Sequence, residues 1–242
     1  MAERTQGASP RLTARLAGVF YLVTLLTGIF AQFFVSGKLV VFGDAAATAT
    51  NILAHKSFYQ SGFLAYLVEM ACFVAFTALL YELLKPVSRS MSLLAAFLSL
   101  VGCAIKTFSR VLFLAPLFIL GGAHYWSVFN REQLQVLSLL FLEVNNQGAG
   151  ISLAFFGFYA VVTGCLIFKS TFLPRILGVL SVLQGLCWLT FLSPTLYRLL
   201  FPYLAALALL GIVALILWLL TFGVNEERWR EQARVTAASL LT

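Results

Sequence analysis

Charge is what this chain has least of. Of its 242 residues only 10% are Asp, Glu, Lys or Arg, against 61% that are hydrophobic. Soluble domains carry about 25% charged and about 45–50% apolar residues. A soluble chain of this make-up would expose large adhesive patches, so the bilayer is the expected solvent. Histidine is scarce, with 2 residues. His55 and His124 both lie outside the apolar runs, which excludes a haem held by axial histidines within a span. No H-E-x-x-H and no G-x-S-x-G occurs, and no acidic cluster could hold a metal, so no metal or other cofactor is expected and nothing favours an intramembrane enzyme. Cys72, Cys103, Cys165 and Cys187 each sit inside an apolar run without a C-x-x-C pair, as small packing residues do. The net charge is +7, but no basic run is interleaved with aromatics. Nucleic acid is therefore not an expected partner, and anionic membrane lipid is.

What is present is a series of long apolar runs. The expected fold is all-α, a six-helix transmembrane bundle with spans at about 16–35, 58–84, 92–120, 151–168, 175–192 and 199–222. Residues 1–10 form a loose polar N-terminus, 11–223 the membrane domain and 224–242 a cytoplasmic tail. Loops are short, leaving no room for a separate soluble domain. Ser9-Pro10 reads as N-cap plus first helical residue. The first run is too long for a signal peptide, and no small-x-small site follows it. Asp44 is placed to cap a short surface helix, Ala45 to Ala54, in the first outer loop. Lys85-Pro86 stops the second span, since proline disfavours helix in the residue before it. Pro116 should bend the third near its end, Gly121-Gly122 should end it, and His124-Tyr125-Trp126 reads as an interfacial aromatic belt. Ser193-Pro194 closes the fifth span.

The stretch from Arg131 to Gln147 is helical by pattern. Continued straight to Phe168, it would be about 57 Å long at about 1.5 Å per residue, well beyond a hydrocarbon core of about 30 Å. An extra interfacial or extended helix before span four is expected, with a bend near Gly148-Ala149-Gly150. Glu226 and Arg230 in the tail have i,i+4 spacing, as on a solvated helix. Arg15-Leu16-Ala17-Gly18-Val19 and Arg175-Ile176-Leu177-Gly178-Val179 echo each other at the starts of spans one and five. An arginine anchor followed by a packing glycine accounts for both.

Orientation follows from Lys and Arg placement. With the N-terminus inside, the inner segments hold Arg4, Arg11, Arg15, Lys85, Arg89, Lys169, Arg175, Arg228, Arg230 and Arg234, and the outer ones only Lys38, Lys56, Arg131 and Arg198. Both termini are therefore expected in the cytoplasm, and the protein in the cell inner (plasma) membrane.

Against that background a few charges stand where lipid should forbid them. Lys106 and Arg110 lie within span three, four apart and so on one face. Glu69 in span two is roughly level with Arg110 at about 1.5 Å per residue. A charge at mid-span costs roughly 2.5–3.5 kcal/mol, so these three must face the interior and find partners. Glu69 is expected to pair with Lys106 or Arg110, and Glu143, beside Asn145 and Asn146, to balance the second cation. Gln184 adds an amide in span five. One expectation is an outward-facing polar pocket lined by Glu69, Lys106, Arg110, Glu143 and Asn146, binding or moving a small polar or anionic molecule or a lipid head group. The other is that the charges only pack helices. The chain would then be a non-catalytic accessory subunit of a membrane complex, with Gly157 and Gly164, or Ser181 and Gly185, admitting a partner helix.

Several segments carry a family likeness: Arg15-Leu16-Ala17-Gly18 through Thr27-Gly28-Ile29-Phe30-Ala31, Gly43-Asp44-Ala45-Ala46-Ala47-Thr48-Ala49, Leu83-Leu84-Lys85-Pro86-Val87 and Phe172-Leu173-Pro174-Arg175-Ile176-Leu177-Gly178-Val179. Together they resemble the bacterial multi-pass membrane family known as domain of unknown function 4386, over roughly Arg11 to Leu220. The resemblance implies a multi-pass membrane protein and brings no activity, so no residue takes a role from it.

Overall fold

The computed structural model describes residues 9–122 and 128–239, apart from the side chains at 194, 197–199, 201, 202 and 239. The expected loose segment Met1 to Ala8 and the aromatic belt at His124-Tyr125-Trp126 lie outside these. Among the described residues all regular structure is helical. Six helices are long and apolar enough to cross a membrane. They are α1 (Pro10–Leu39), α3 (Lys56–Leu84), α4 (Arg89–Ile119), α5 (Arg131–Lys169), α6 (Arg175–Leu192) and α7 (Pro194–Thr221), the last with its apolar span at Tyr203–Thr221. Two shorter helices, α2 (Ala45–Ala54) and α8 (Glu226–Ser239), complete the set. Large side chains stand exposed along the spans, Phe33, Leu64 and Phe108 among them. On a soluble protein such a surface would aggregate; on a spanning helix it faces lipid.

The helix ends follow local chemistry. Ser9 Oγ accepts from the Leu12 N–H at 3.2 Å, and Pro10 opens α1. Asp44 Oδ1 accepts from the Ala47 N–H at 2.8 Å and caps α2. α3 stops at Leu84, before Lys85-Pro86. Pro116 lies inside α4, and Gly122 beyond it takes φ +78°, which glycine adopts without strain. Ser193-Pro194 closes span five as expected, α6 ending at Leu192 with Ser193 as its C-cap, and the same dipeptide opens α7 with proline in its first turn. Proline suits that position as Pro10 does in α1, because its missing N–H is one that a helix start leaves unbonded anyway.

Two elements differ in extent from expectation. α1 does not stop at Val35. It widens into a π-helical segment, Phe30–Ser36, and continues to Leu39. Val35 and Leu39, one turn apart, are both buried and hold the polar Ser36-Gly37-Lys38 stretch in the helix between them. α5 is one continuous helix of 39 residues, unbroken at Gly148-Ala149-Gly150. At about 1.5 Å per residue it is roughly 58 Å long, so part of it extends beyond any hydrocarbon core it crosses.

The chain divides into two compact units. One, the terminal unit, comprises Met1–Leu22, Val74–Leu100 and Leu153–Thr242; the other, the Arg110 unit, comprises Val23–Phe73 and Val101–Ser152. In the terminal unit α5 and α6 meet at glycines. A Cβ on Gly164 would lie 2.7 Å from the Gly178 carbonyl, and one on Gly185 would lie 2.6 Å from the Gly157 carbonyl. The small residues that could have admitted a partner helix are thus used within the chain, and Ser181 turns its hydroxyl to the Leu177 carbonyl of its own helix. α8 docks by one face: Trp229 Nε1 donates to the Leu83 carbonyl at 2.9 Å, Thr236 Oγ1 to the Pro86 carbonyl at 2.7 Å, and Gln232 Oε1 accepts from the Thr171 N–H at 3.0 Å. The expected Glu226–Arg230 pair, at 3.4 Å, lies to one side of that face.

In the Arg110 unit the apolar core is Ala31, Val35, Leu39, Val40, Ile52, Tyr59, Tyr66, Phe113, Leu139 and Leu142. The buried face of α2, with Ile52 fully enclosed, packs into this core, while Ala46 and Thr50 remain exposed. Tyr59 stacks on Phe113 at 4.3 Å between centroids and donates its hydroxyl to the Phe113 carbonyl. That hydrogen bond ties α3 to α4 directly beside the buried charges.

Candidate polar site in the Arg110 unit

Glu69 on α3 and Lys106 on α4 form the expected ion pair, with Lys106 Nζ 2.6 Å from Glu69 Oε1. Both side chains are largely enclosed, at 9% and 14% exposure. Room for the carboxylate comes from α1, where a Cβ on Gly28 would lie 2.9 Å from Glu69 Oε1. Any larger residue at Gly28 would push into the carboxylate. Thr24 Oγ1, also on α1, donates to the Glu69 backbone carbonyl at 3.4 Å.

One turn along α4, Arg110 is 3% exposed and joins no ion pair among the described residues. Its Nη1 donates to Asn145 Oδ1 on α5 at 3.0 Å. Its Cζ lies 3.6 Å from the centroid of the Tyr66 ring on α3. The ring's negative face attracts the guanidinium, worth about 2 kcal/mol when water is excluded. A hydrogen bond to a charged group adds about 1.5–3 kcal/mol. Neither partner carries a negative charge, so Arg110 is held but not neutralised. Arg110 Nε and Glu69 Oε2 are buried without hydrogen-bond partners.

Beside Arg110 lies a cleft lined by Gln32, Ser36, Val40, Phe42, Arg110, Phe113, Leu142, Asn145 and Asn146. It encloses about 280 Å³ with its open mouth included. Between its walls it leaves room for about one water-sized group. Arg110, Asn145, Phe113 and Leu142 form its buried base, and Gln32, Phe42 and Asn146 stand exposed at its mouth. The π-helical segment of α1 supplies Gln32 and Ser36. Such widened turns recur at functional sites.

Of the five residues expected to line one pocket, only Arg110 and Asn146 line the cleft. Glu69 and Lys106 pair with each other, Arg110 forms the base of the cleft, and Asn146 stands at its mouth. Glu143 is exposed on α5 and makes no ion pair, and the partner expected of it at Arg110 is Asn145, two residues on. Residues two apart on a helix point about 200° apart, so only one of them can face α4. Gln184 belongs to the terminal unit, where its Nε2 donates to the Tyr21 hydroxyl at 3.4 Å. Sequence reasoning missed Tyr66, Gln32 and Ser36. Tyr66 precedes Glu69 by three positions and so shares its face, and Gln32 is a lone amide in an apolar run. Those were the available signals. No group of three or more His, Cys, Asp or Glu able to hold a metal ion occurs among the described residues.

The family model described as Domain of unknown function (DUF4386) matches residues 16–223. No curated protein and no solved structure matches the chain.

Proposed function

The chain belongs to the DUF4386 family, a family of unknown function, and we propose that it is a multi-pass membrane protein that binds or moves a small polar or anionic molecule or a lipid head group at the Arg110 cleft. One observation carries this reading: the buried cluster holds two cations, Lys106 and Arg110, against one carboxylate, Glu69. Uncompensated charge within a span is costly, and a site that pairs one cation while leaving the other accessible to a cleft is suited to receive a counter-charge from outside the chain. The placement of the remaining Lys and Arg supports a cell inner membrane location, both termini inside and the cleft opening outward.

The test is to purify the protein gently from native membranes and identify by mass spectrometry what co-purifies, for wild type and Arg110→Ala. The expected result is a polar or anionic compound held by wild type and lost from a variant that still accumulates in the membrane. If both preparations are equally empty and the variant fails to accumulate, the charges serve helix packing alone and the reading falls.

A further inference from the structure

The cleft around Arg110 is asymmetric in its hydrogen-bonding groups. Asn145 Oδ1 is committed to Arg110, which as a guanidinium can only donate. The Asn145 amide nitrogen is therefore the end left for a ligand. Gln32 Oε1 accepts from the Tyr66 hydroxyl at 2.8 Å, so its amide nitrogen is likewise left to donate. Arg110 adds its buried, unpartnered Nε. The Gln32 and Asn145 amide oxygens each already accept a hydrogen bond within the protein.

The shape narrows the choice further. The Tyr66 ring covers one face of the guanidinium, so a ligand meets Arg110 at its edge. Edge-on contact matches the paired N–H geometry of guanidinium to two oxygens of one carboxylate or phosphate. The cleft leaves room between its walls for about one water-sized group, so an oxygen of the anion fits there while the rest of the ligand stays outside. At the mouth Phe42 is exposed beside Gln32 and Asn146, an apolar and polar rim together. A ligand bearing a cation at its tip would meet the Arg110 charge, with the Asn145 and Gln32 amide oxygens already accepting within the protein, which disfavours it.

Resting on the polar-pocket reading above, we infer that the Arg110 cleft is a receptor for the oxyanion of a phosphate or carboxylate, with Gln32 and Asn145 as specificity-determining residues because their carbonyl oxygens are tied up within the protein. Asn145→Asp tests this without emptying the site. It places a carboxylate where Oδ1 now lies 3.0 Å from Arg110, so the chain supplies its own counter-charge.

The full-length protein is followed by tryptophan-fluorescence melting. The probes are inorganic phosphate and acetate at matched ionic strength, glycerol, and nanodiscs of phosphatidylglycerol or phosphatidylcholine. Wild type is expected to show saturable stabilisation by an oxyanion probe. Asn145→Asp should melt no lower than wild type in probe-free detergent and bind the probe about ten- to a hundredfold more weakly, the loss of one charge-assisted hydrogen bond. A response to phosphatidylglycerol alone identifies a lipid head group as the source of the anion, and a response to phosphate or acetate identifies a free one. An unchanged response in Asn145→Asp overturns the inference. So does a wild type stabilised by glycerol and by no anion, although that result leaves a polar pocket standing. A wild type that responds to no probe and co-purifies with nothing overturns both.

Discussion

Arg110 and Lys106 sit one helical turn apart, and their surroundings divide the work between them. Lys106 has a carboxylate at hydrogen-bond distance, so the pair is nearly self-contained. Arg110 has a ring and an amide, which orient its planar group without cancelling its charge. A lysine could not substitute there, since an ammonium has neither a flat face for Tyr66 nor an edge of paired donors. The Glu69–Lys106 pair permits a prediction of its own. Breaking a buried pair from one side leaves an uncompensated charge, costing about 3–5 kcal/mol, whereas replacing both partners is often close to neutral. Lys106→Met alone should sharply reduce the folded yield, and Glu69→Gln with Lys106→Met should restore most of it. Size-exclusion profiles of the detergent-extracted variants report this directly. A double variant no better than the single would mean that Lys106 contributes something other than the neutralisation of Glu69.

At the scale of elements, two helices do unusual work. α1 carries the cleft's amide and hydroxyl in its π-helical segment and gives way at Gly28 for the Glu69 carboxylate. α5 runs for 39 residues, Arg131–Lys169, and carries both the buried Asn145 and the glycines that meet α6. That α5–α6 contact is backbone against backbone. Gly164→Val or Gly185→Val would force the helices apart, an overpacking cost of about 1–3 kcal/mol. We expect either variant to melt several degrees lower than wild type in detergent, by circular dichroism. An unchanged midpoint would show that the close approach is not maintained in solution. These glycines were visible in the sequence, but one helix's own pattern cannot tell whether its small face meets a neighbour in the same chain or a foreign one. The docking face of α8 was legible in principle, since Trp229, Gln232 and Thr236 recur at helical spacing. The abundance of charge around them suggested a fully solvated helix instead.

At the scale of the whole molecule, the prediction concerns sidedness. In a cysteine-free background, Thr50→Cys on the exposed face of α2 should react with an impermeant thiol reagent on intact cells. Ser90→Cys at the start of α4 should react only after the membrane is opened. Both positions are exposed in the structure, so a silent site reports the side of the membrane rather than burial. The reverse pattern would invert the orientation and turn the cleft toward the cytoplasm.

The sequence by itself determined the class of the protein and most of its punctuation. Long apolar runs require helices that satisfy their own backbone in lipid, and Ser9-Pro10, Asp44 and Lys85-Pro86 act through contacts within a few residues of themselves. It also determined that Glu69, Lys106 and Arg110 had to face inward, because a spanning helix leaves a charge few alternatives. Only the tertiary structure decided which partner each charge found. That Asn145 rather than Glu143 reaches Arg110, that the Tyr66 ring covers it, and that Gln32 turns its amide nitrogen free all depend on how α1, α3, α4 and α5 are rotated about their axes within the Arg110 unit. Helix rotation is set by the summed packing of many side chains. No single residue announces it, and so the six spans were readable in the sequence while the donor-lined cleft was not.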